Sequence, residues 1–236
     1  MTTPSPIGAR YNNSEYLENN ADWHASDSAW KARQINKILE RNNIRPETIC
    51  EVGCGAGEIL VQLQQSTSAS RLDGYELSTD AFELCSSKAK DGLNFYLDDI
   101  ENATSTYDIL LCIDVFEHVE NYIEFVRNLR TKAEYKIFHI PLDISISSII
   151  RGGMMRARHA IGHLHYFTPE TAIATLEDAG LEIVDQFYTA PFAGPDCIPA
   201  KSVGQKALKI PRILLYSISP EFLSKTIGGC SLLVLT

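Results

Sequence analysis

The sequence predicts an α/β fold built on one mostly parallel sheet with helices on both faces. Three observations carry that expectation. From Thr48 onward, short apolar runs alternate with helical patterns, which is how parallel strands joined by crossover helices read in sequence. The run Tyr107–Ile113 is almost wholly apolar, as a strand covered on both faces must be. Thr48–Val52 leads into a turn with glycine at every second position, and a helical pattern follows at once.

In chain order, Thr48–Val52 is the first strand and Glu58–Gln65 a short amphipathic helix. Arg71–Glu76 is the second strand, Thr79–Ala89 a helix and Leu93–Leu97 the third strand. Tyr107–Ile113 is the fourth. Ile123–Lys132 places Phe125, Val126 and Leu129 at helical spacing. Tyr135–Ile140 is the fifth strand, stopped by Pro141. Pro169–Ala179 is a helix with Thr168 as N-cap and Gly180 as stop. Leu181–Tyr188 and Gly229–Leu235 complete seven strands. Two segments fall outside the alternation. Residues 1–47, with Trp23, His24 and Trp30, read as an N-terminal helical cap. Residues 48–236 read as the core, with an insertion at about 190–227 that is rich in proline and holds an apolar helix near Ala207–Ser217.

The chain has 236 residues, 44% of them hydrophobic, enough for a sizeable core without staples. Its net charge of -9 disfavours a phosphate backbone as partner, so no nucleic acid is expected. Arg151, Arg156, Arg158 and His159 are the one concentrated basic stretch. They read either as a solvated helix face or as a clamp for a phosphate or carboxylate on a substrate. Six cysteines make no C-x-x-C pair and match no zinc spacing, so they read as reduced core thiols of a cytoplasmic protein. The first ten residues lack the apolar core of a secretory signal. No apolar stretch is long enough for an integral membrane segment, and Ile210–Ser219 reads as a packed or surface helix.

The most informative stretch is Cys50-Glu51-Val52-Gly53-Cys54-Gly55-Ala56-Gly57. Glycine allows unusual dihedrals and close approach of a ligand, and the following helix offers free N–H groups. A dinucleotide site would place a third glycine at position 58, which is Glu58; an anion there repels a pyrophosphate. A cofactor with an ammonium and no phosphate suits Glu51 instead. Glu76, 21 residues after Gly55, can accept two ribose hydroxyls, which does not separate the two cofactors. Asp99, ahead of the apolar Ile100, can accept from an adenine amino group. The plainer alternatives are a tight turn without ligand, a solvated strand end at Glu76, and an Asx turn or cap at Asp99.

These motifs, with Ile113-Asp114-Val115-Phe116-Glu117-His118-Val119 and Gly162-His163-Leu164-His165-Tyr166-Phe167-Thr168, resemble the ordered motifs of class I S-adenosylmethionine-dependent methyltransferases. The Asp-x-x-Glu-His-Val step resembles the small-molecule branch that includes ubiquinone-biosynthesis O-methyltransferases. The correspondence covers about residues 48–190, and the ending Gly228–Val234 is similar to the last strand of such enzymes. The resemblance implies a Rossmann-like sheet with an antiparallel last strand. It also implies a cofactor set of Glu51, Gly53, Cys54, Gly55, Gly57, Glu76, Leu77, Asp99, Ile100 and Asp114. Trp30 and Lys31 resemble an element folding over the cofactor; a hydrophobic staple for the next helix is the alternative.

Methyl transfer from a sulfonium requires no metal, and none is expected: a His-x-His pair with His159 lacks an acidic or Cys partner. A hydroxyl acceptor needs a general base, and histidine suits neutral pH. His118, His163 and His165 are the candidates. His118 can equally pack or cap, one of His163 and His165 can be a buried hydrogen-bonded ring, and His139 reads as site or core. The expected acceptor is a small molecule or a sugar- or lipid-linked group, most simply O-methylated, in a chain that a homodimer would also suit. An NAD-dependent oxidoreductase is the rival reading, opposed by Glu58 and by the lack of a Tyr-x-x-x-Lys pair. A catalytically silent binding module is the third.

Overall fold

A computed structural model of the chain describes residues 25–194, 197–198 and 203–236. Trp23, His24 and the rest of the expected cap up to residue 24 lie outside the described residues, as do Pro195 and Pro199. The elements are α1 (Ala25–Arg41), β1 (Thr48–Val52), α2 (Glu58–Ser66), β2 (Arg71–Glu76), α3 (Thr79–Ser86), β3 (Leu93–Leu97) and β4 (Tyr107–Ile113). There follow α4 (Tyr122–Leu129), β5 (Ala133–Pro141), α5 (Ile146–Ile150), α6 (Gly153–Ala160), α7 (Pro169–Asp178) and β6 (Asp185–Thr189). The chain ends with α8 (Val203–Ile218), α9 (Pro220–Thr226) and β7 (Ser231–Leu235). One seven-stranded sheet has the order β3-β2-β1-β4-β5-β7-β6. β1 is parallel to β2 and β4. β7 is antiparallel to both β5 and β6, so the last strand is the reversed one, as expected.

The described chain divides into two compact units, one holding residues up to Cys112 with Thr131–Tyr135, the other Ile113–Arg130 with Lys136–Thr236. In the first unit α1 packs on α2, burying Ile35, Ile38, Leu60 and Leu63. A buried polar network ties three strands. Tyr107 Oη donates to Asp73 Oδ2 at 2.8 Å, Asn94 Nδ2 donates to Asp73 Oδ1 at 2.9 Å, and Tyr75 Oη lies 2.8 Å from Tyr107 Oη. Burial, with both partners adding, pushes the Tyr107 phenol far above its ordinary value, so it stays a donor. In the second unit Phe116 is fully buried and packs on Phe138, Phe167 and Tyr122.

Several boundaries differ from the sequence expectation: the helix from Thr79 ends at Ser86 rather than Ala89, the fifth strand runs Ala133–Pro141 and takes in Pro141, which pairs with Ser231, and the last strand starts at Ser231 rather than Gly229. Two others have a clear local reason. The strand expected from Leu181 begins at Asp185, because Leu181 is used to close α7. Gly180 takes φ 84°, its N–H bonds Glu177 O at 2.8 Å, and the Leu181 N–H bonds Leu176 O at 3.0 Å. This is the paired closure that glycine at a helix end permits. The helix expected to reach Lys132 ends at Leu129. Lys132 O instead accepts from Tyr107 N at 3.0 Å, and its Nζ donates to Glu101 O and Ala103 O, both at 2.8 Å.

Candidate functional site

In the first unit the turn after β1 has the backbone its sequence demands. Gly53, Gly55 and Gly57 take φ 63°, 54° and 73°, a left-handed region that costs side-chain-bearing residues. Space forbids a side chain as well: a Cβ on Gly57 would stand 2.5 Å from Phe95 Cε1. Cys54 N–H donates to Tyr75 O at 3.1 Å, which brings the turn beside the end of β2. There Glu76 is clamped by backbone. Gly55 N–H donates to Oε2 at 2.8 Å, and Leu77 and Ser78 N–H donate to Oε1 at 2.9 and 2.8 Å. Burial lifts its carboxyl above the ordinary value against those three bonds.

Glu51 is deeper. It is fully buried, and its Oε2 has no hydrogen-bond partner among the described residues. Desolvation raises its carboxyl well above the ordinary range, with Lys31 opposing and Glu76 adding to the rise. Lys31, on α1, is itself buried and pairs with Asp27 at 3.3 Å; Trp30 beside it is buried too. Glu58 faces Lys88, whose Nζ lies 3.0 Å from Glu58 Oε2 and 2.7 Å from Ala56 O. Burial opposes ionisation of Glu58, but bonds from Gln62 and Lys88 outweigh it and hold the carboxyl below its ordinary value. An ionised carboxylate thus stands where a pyrophosphate would need open backbone. Asp99 caps the turn Ile100–Asn102 through a 2.9 Å bond from Glu101 N–H to Oδ1, the plainer role weighed for it. Ile100 is buried, while Leu77 is 65% exposed, an aliphatic surface next to Glu76.

The second unit holds the histidines. Asp114 has φ 55°, and its Oδ1 lies 2.6 Å from His139 Nδ1. His139 Nε2 lies 2.9 Å from Thr189 Oγ1, so His139 is buried with both ring nitrogens engaged. His163 and His165 take different partners. His165 Nε2 donates to Val119 O at 2.9 Å, and its ring lies 4.2 Å from that of Tyr122. His163 Nδ1 sits 2.5 Å from Asp143 Oδ2, which fixes the proton there and turns Nε2 toward Glu117 Oε1, 4.0 Å away. His118 Nε2 lies 3.9 Å from the same oxygen, and the two imidazoles meet edge to face at 4.8 Å. The loop is fastened by Leu164 and His165 N–H, which donate to Glu117 O at 2.8 and 3.1 Å.

Sequence reasoning had no role for Glu117 or Asp143. Glu117, His118 and His163 bring their ligand atoms within 4.8 Å of one another, a set able to hold a metal ion. This is not the His-x-His pair with His159 weighed from the sequence: it takes His163 but neither His165 nor His159, and its other two members, Glu117 and His118, are adjacent in the chain. The Glu117-His118 step was visible; its meeting with His163 was not.

Three comparisons bear on these sites. A family model described as a methyltransferase domain matches residues 23–186, more than half of the chain. Ubiquinone biosynthesis O-methyltransferase of Rickettsia bellii is 26% identical over 173 residues, covering 64% of this chain and 70% of that protein. The same enzyme from Rickettsia canadensis is 28% identical over 169 residues, covering 63% and 69%. Among solved structures, magnesium protoporphyrin IX methyltransferase of Synechocystis with bound S-adenosylhomocysteine aligns with TM-score 0.60 at 15% identity, over 77% of this chain and 91% of that one. The N-methyltransferase NodS of Bradyrhizobium japonicum, also with S-adenosylhomocysteine, aligns with TM-score 0.56 at 15% identity, over 94% and 97%. At these identities the structural likenesses concern the fold.

Proposed function

The chain belongs to the methyltransferase domain family, and from that premise we propose that it moves a methyl group from S-adenosylmethionine to an oxygen of a small or lipid-linked acceptor. The observation that carries the donor assignment is Glu51, a fully buried carboxylate with an unpartnered oxygen beside a glycine turn. A buried charge is tolerated when a counter-charge arrives with the ligand, and the donor's ammonium supplies one. Glu76, already held by three backbone N–H groups, then accepts the ribose hydroxyls. Leu77, exposed beside Glu76, flanks the adenine, and Asp99 accepts from its amino group through Oδ2, while the buried Ile100 backs the Asp99 turn. The relatives named for ubiquinone biosynthesis support an oxygen as acceptor.

The reaction is an in-line displacement. The acceptor oxygen bonds to the methyl carbon, the carbon–sulfur bond breaks, and its electron pair stays on sulfur as a neutral thioether. The acceptor's proton goes to a base. We assign this role to His163 on its own bonding: Asp143 on Nδ1 leaves Nε2 as the acceptor nitrogen. His165, donating from Nε2 to a carbonyl, serves as a positioning residue. A second reading has its own observation: Glu117, His118 and His163 fit a divalent cation, with Asp143 orienting His163 from behind. Such an ion, when bound, acidifies a coordinated hydroxyl.

Calorimetry with S-adenosylhomocysteine and with NAD tests the donor site: heat with the first and none with the second is expected, and the reverse would overturn the assignment. Dialysis against EDTA separates the two acceptor readings. Full activity afterwards removes the cation; activity lost and then restored by magnesium or zinc removes His163 as a free base. The six cysteines, free in the structure, fit a reducing cytoplasmic setting. No helix among the described residues is long and apolar enough to cross a membrane.

A further inference from the structure

The helix α8 lies beyond the matched family domain, and it is mounted with its apolar side outward. Toward the protein it turns polar groups: Tyr216 Oη donates to Tyr188 O at 2.6 Å, and Arg212, one turn earlier, lies 5.6 Å from the Phe192 ring. Away from it, Ile210, Leu214 and Ile218 are 70%, 59% and 79% exposed. Spaced by four, they form a single stripe, and Lys206, exposed one turn before Ile210, continues it. An ordinary surface helix has the opposite orientation.

The stripe has neighbours of the same kind. α9 packs against both α8 and α5. On α5, Ile146, Ile149 and Ile150 share a face and are all more than half exposed, as is Phe222 on α9. Burial first and the charge of Arg151, at the end of α5, second push the Arg212 guanidinium below its ordinary value. The charges match the pattern. Residues 144–169 and 203–220 contain Arg151, Arg156, Arg158, Lys206, Lys209 and Arg212, and none of the chain's 30 Asp and Glu. A chain of net charge -9 thus keeps these two segments free of acid, and the acids that directly follow them, Glu170 and, on α9, Glu221, both pair with Lys225.

We propose that α5, α8 and α9 dock the protein on an anionic lipid surface, the aliphatic stripe entering the headgroup layer while Lys206, Arg151 and Arg156 meet lipid phosphates. Shallow insertion of an apolar face with basic residues at its border is the physics of peripheral membrane helices. Docking of this kind stands apart from methyl transfer and does not rest on it.

Sedimentation of the full chain with vesicles tests this. Binding to equimolar phosphatidylglycerol and phosphatidylcholine is expected at low salt, with none to phosphatidylcholine alone and less at 0.5 M sodium chloride. Ile210→Asp with Leu214→Asp and Ile218→Asp should lower it tenfold or more. Lys206→Gln, Arg151→Gln and Arg156→Gln should each lower it about fivefold. S-adenosylhomocysteine affinity and thermal midpoint, measured on each variant, show that the fold survives. No sedimentation, equal binding to both vesicles, or binding that the variants leave intact overturns the proposal. So does light scattering that shows a dimer which the triple variant dissolves, since a second copy would then cover the stripe. If S-adenosylhomocysteine fails to bind even the parent chain, the donor assignment falls and the docking result stands.

Discussion

Glu51 and Glu76 lie on neighbouring strand ends, and burial raises the carboxyls of both. For Glu51 the consequence has a definite sign. The folded chain keeps this proton at pH values where the unfolded chain has lost it. Glu51 therefore costs stability that grows as pH rises from the ordinary carboxylate range to its own raised value. A bound ammonium favours the ionised form, so donor binding should release a proton in that window and tighten as pH rises through it. Calorimetry in two buffers of different ionisation heat reads that proton directly. Glu51→Gln should abolish the pH slope and weaken S-adenosylhomocysteine by about 1.5–3 kcal/mol, roughly ten- to hundredfold; unchanged affinity would place the ammonium elsewhere. Glu51 was legible because it precedes the glycine turn on the same strand, and Glu76 because it ends the next strand, 21 residues after Gly55. Asp143 and Glu117 were not, because their roles exist only once the loop at Gly162–Thr168 is fastened to Glu117 O.

Elements were legible where one local rule decides them. The positive φ values of Gly53, Gly55 and Gly57 follow from residue type, and the cap at Thr168, donated to by Thr171 N–H, follows from the hydroxyl before Pro169. Boundaries slipped where distant groups compete, as at Leu181 and Lys132. The outward stripe of α8 was hidden because periodicity gives a helix two faces without saying which one meets the protein. The network under β2, β3 and β4 was hidden too, since Asp73 reads as a polar interruption of a strand until Tyr107 and Asn94 arrive beside it. Among the described residues, Tyr107→Phe leaves Asp73 Oδ2 with the Arg71 guanidinium alone, at 3.4 Å. It should cost about 1–3 kcal/mol, read as a lower urea midpoint with unchanged slope. A loss under about 0.5 kcal/mol would mean that water replaces the phenol.

At the scale of the molecule, the residues proposed to hold the donor fall in one compact unit, while Asp114, also expected in that set, falls in the other with the histidine cluster. S-adenosylhomocysteine at a hundred times its Kd stabilises whatever folded state binds it by about 2.7 kcal/mol. Hydrogen exchange should therefore slow, by up to about a hundredfold, at Gly53–Gly57 and Leu77–Ser78. Slowing confined to Gly162–Thr168, with none in the glycine turn, would contradict the donor assignment. The sheet itself adds a constraint on how the second unit comes into being. β6 pairs with β7 and sits at the sheet edge, so the earlier strand has no sheet neighbour until the later one has been made. At the usual 5–20 residues per second of translation, Asp185–Thr189 waits some seconds outside the ribosome with its backbone unmatched. Nascent chains stalled before Ser231 would thus be the form most exposed to chaperones and proteases.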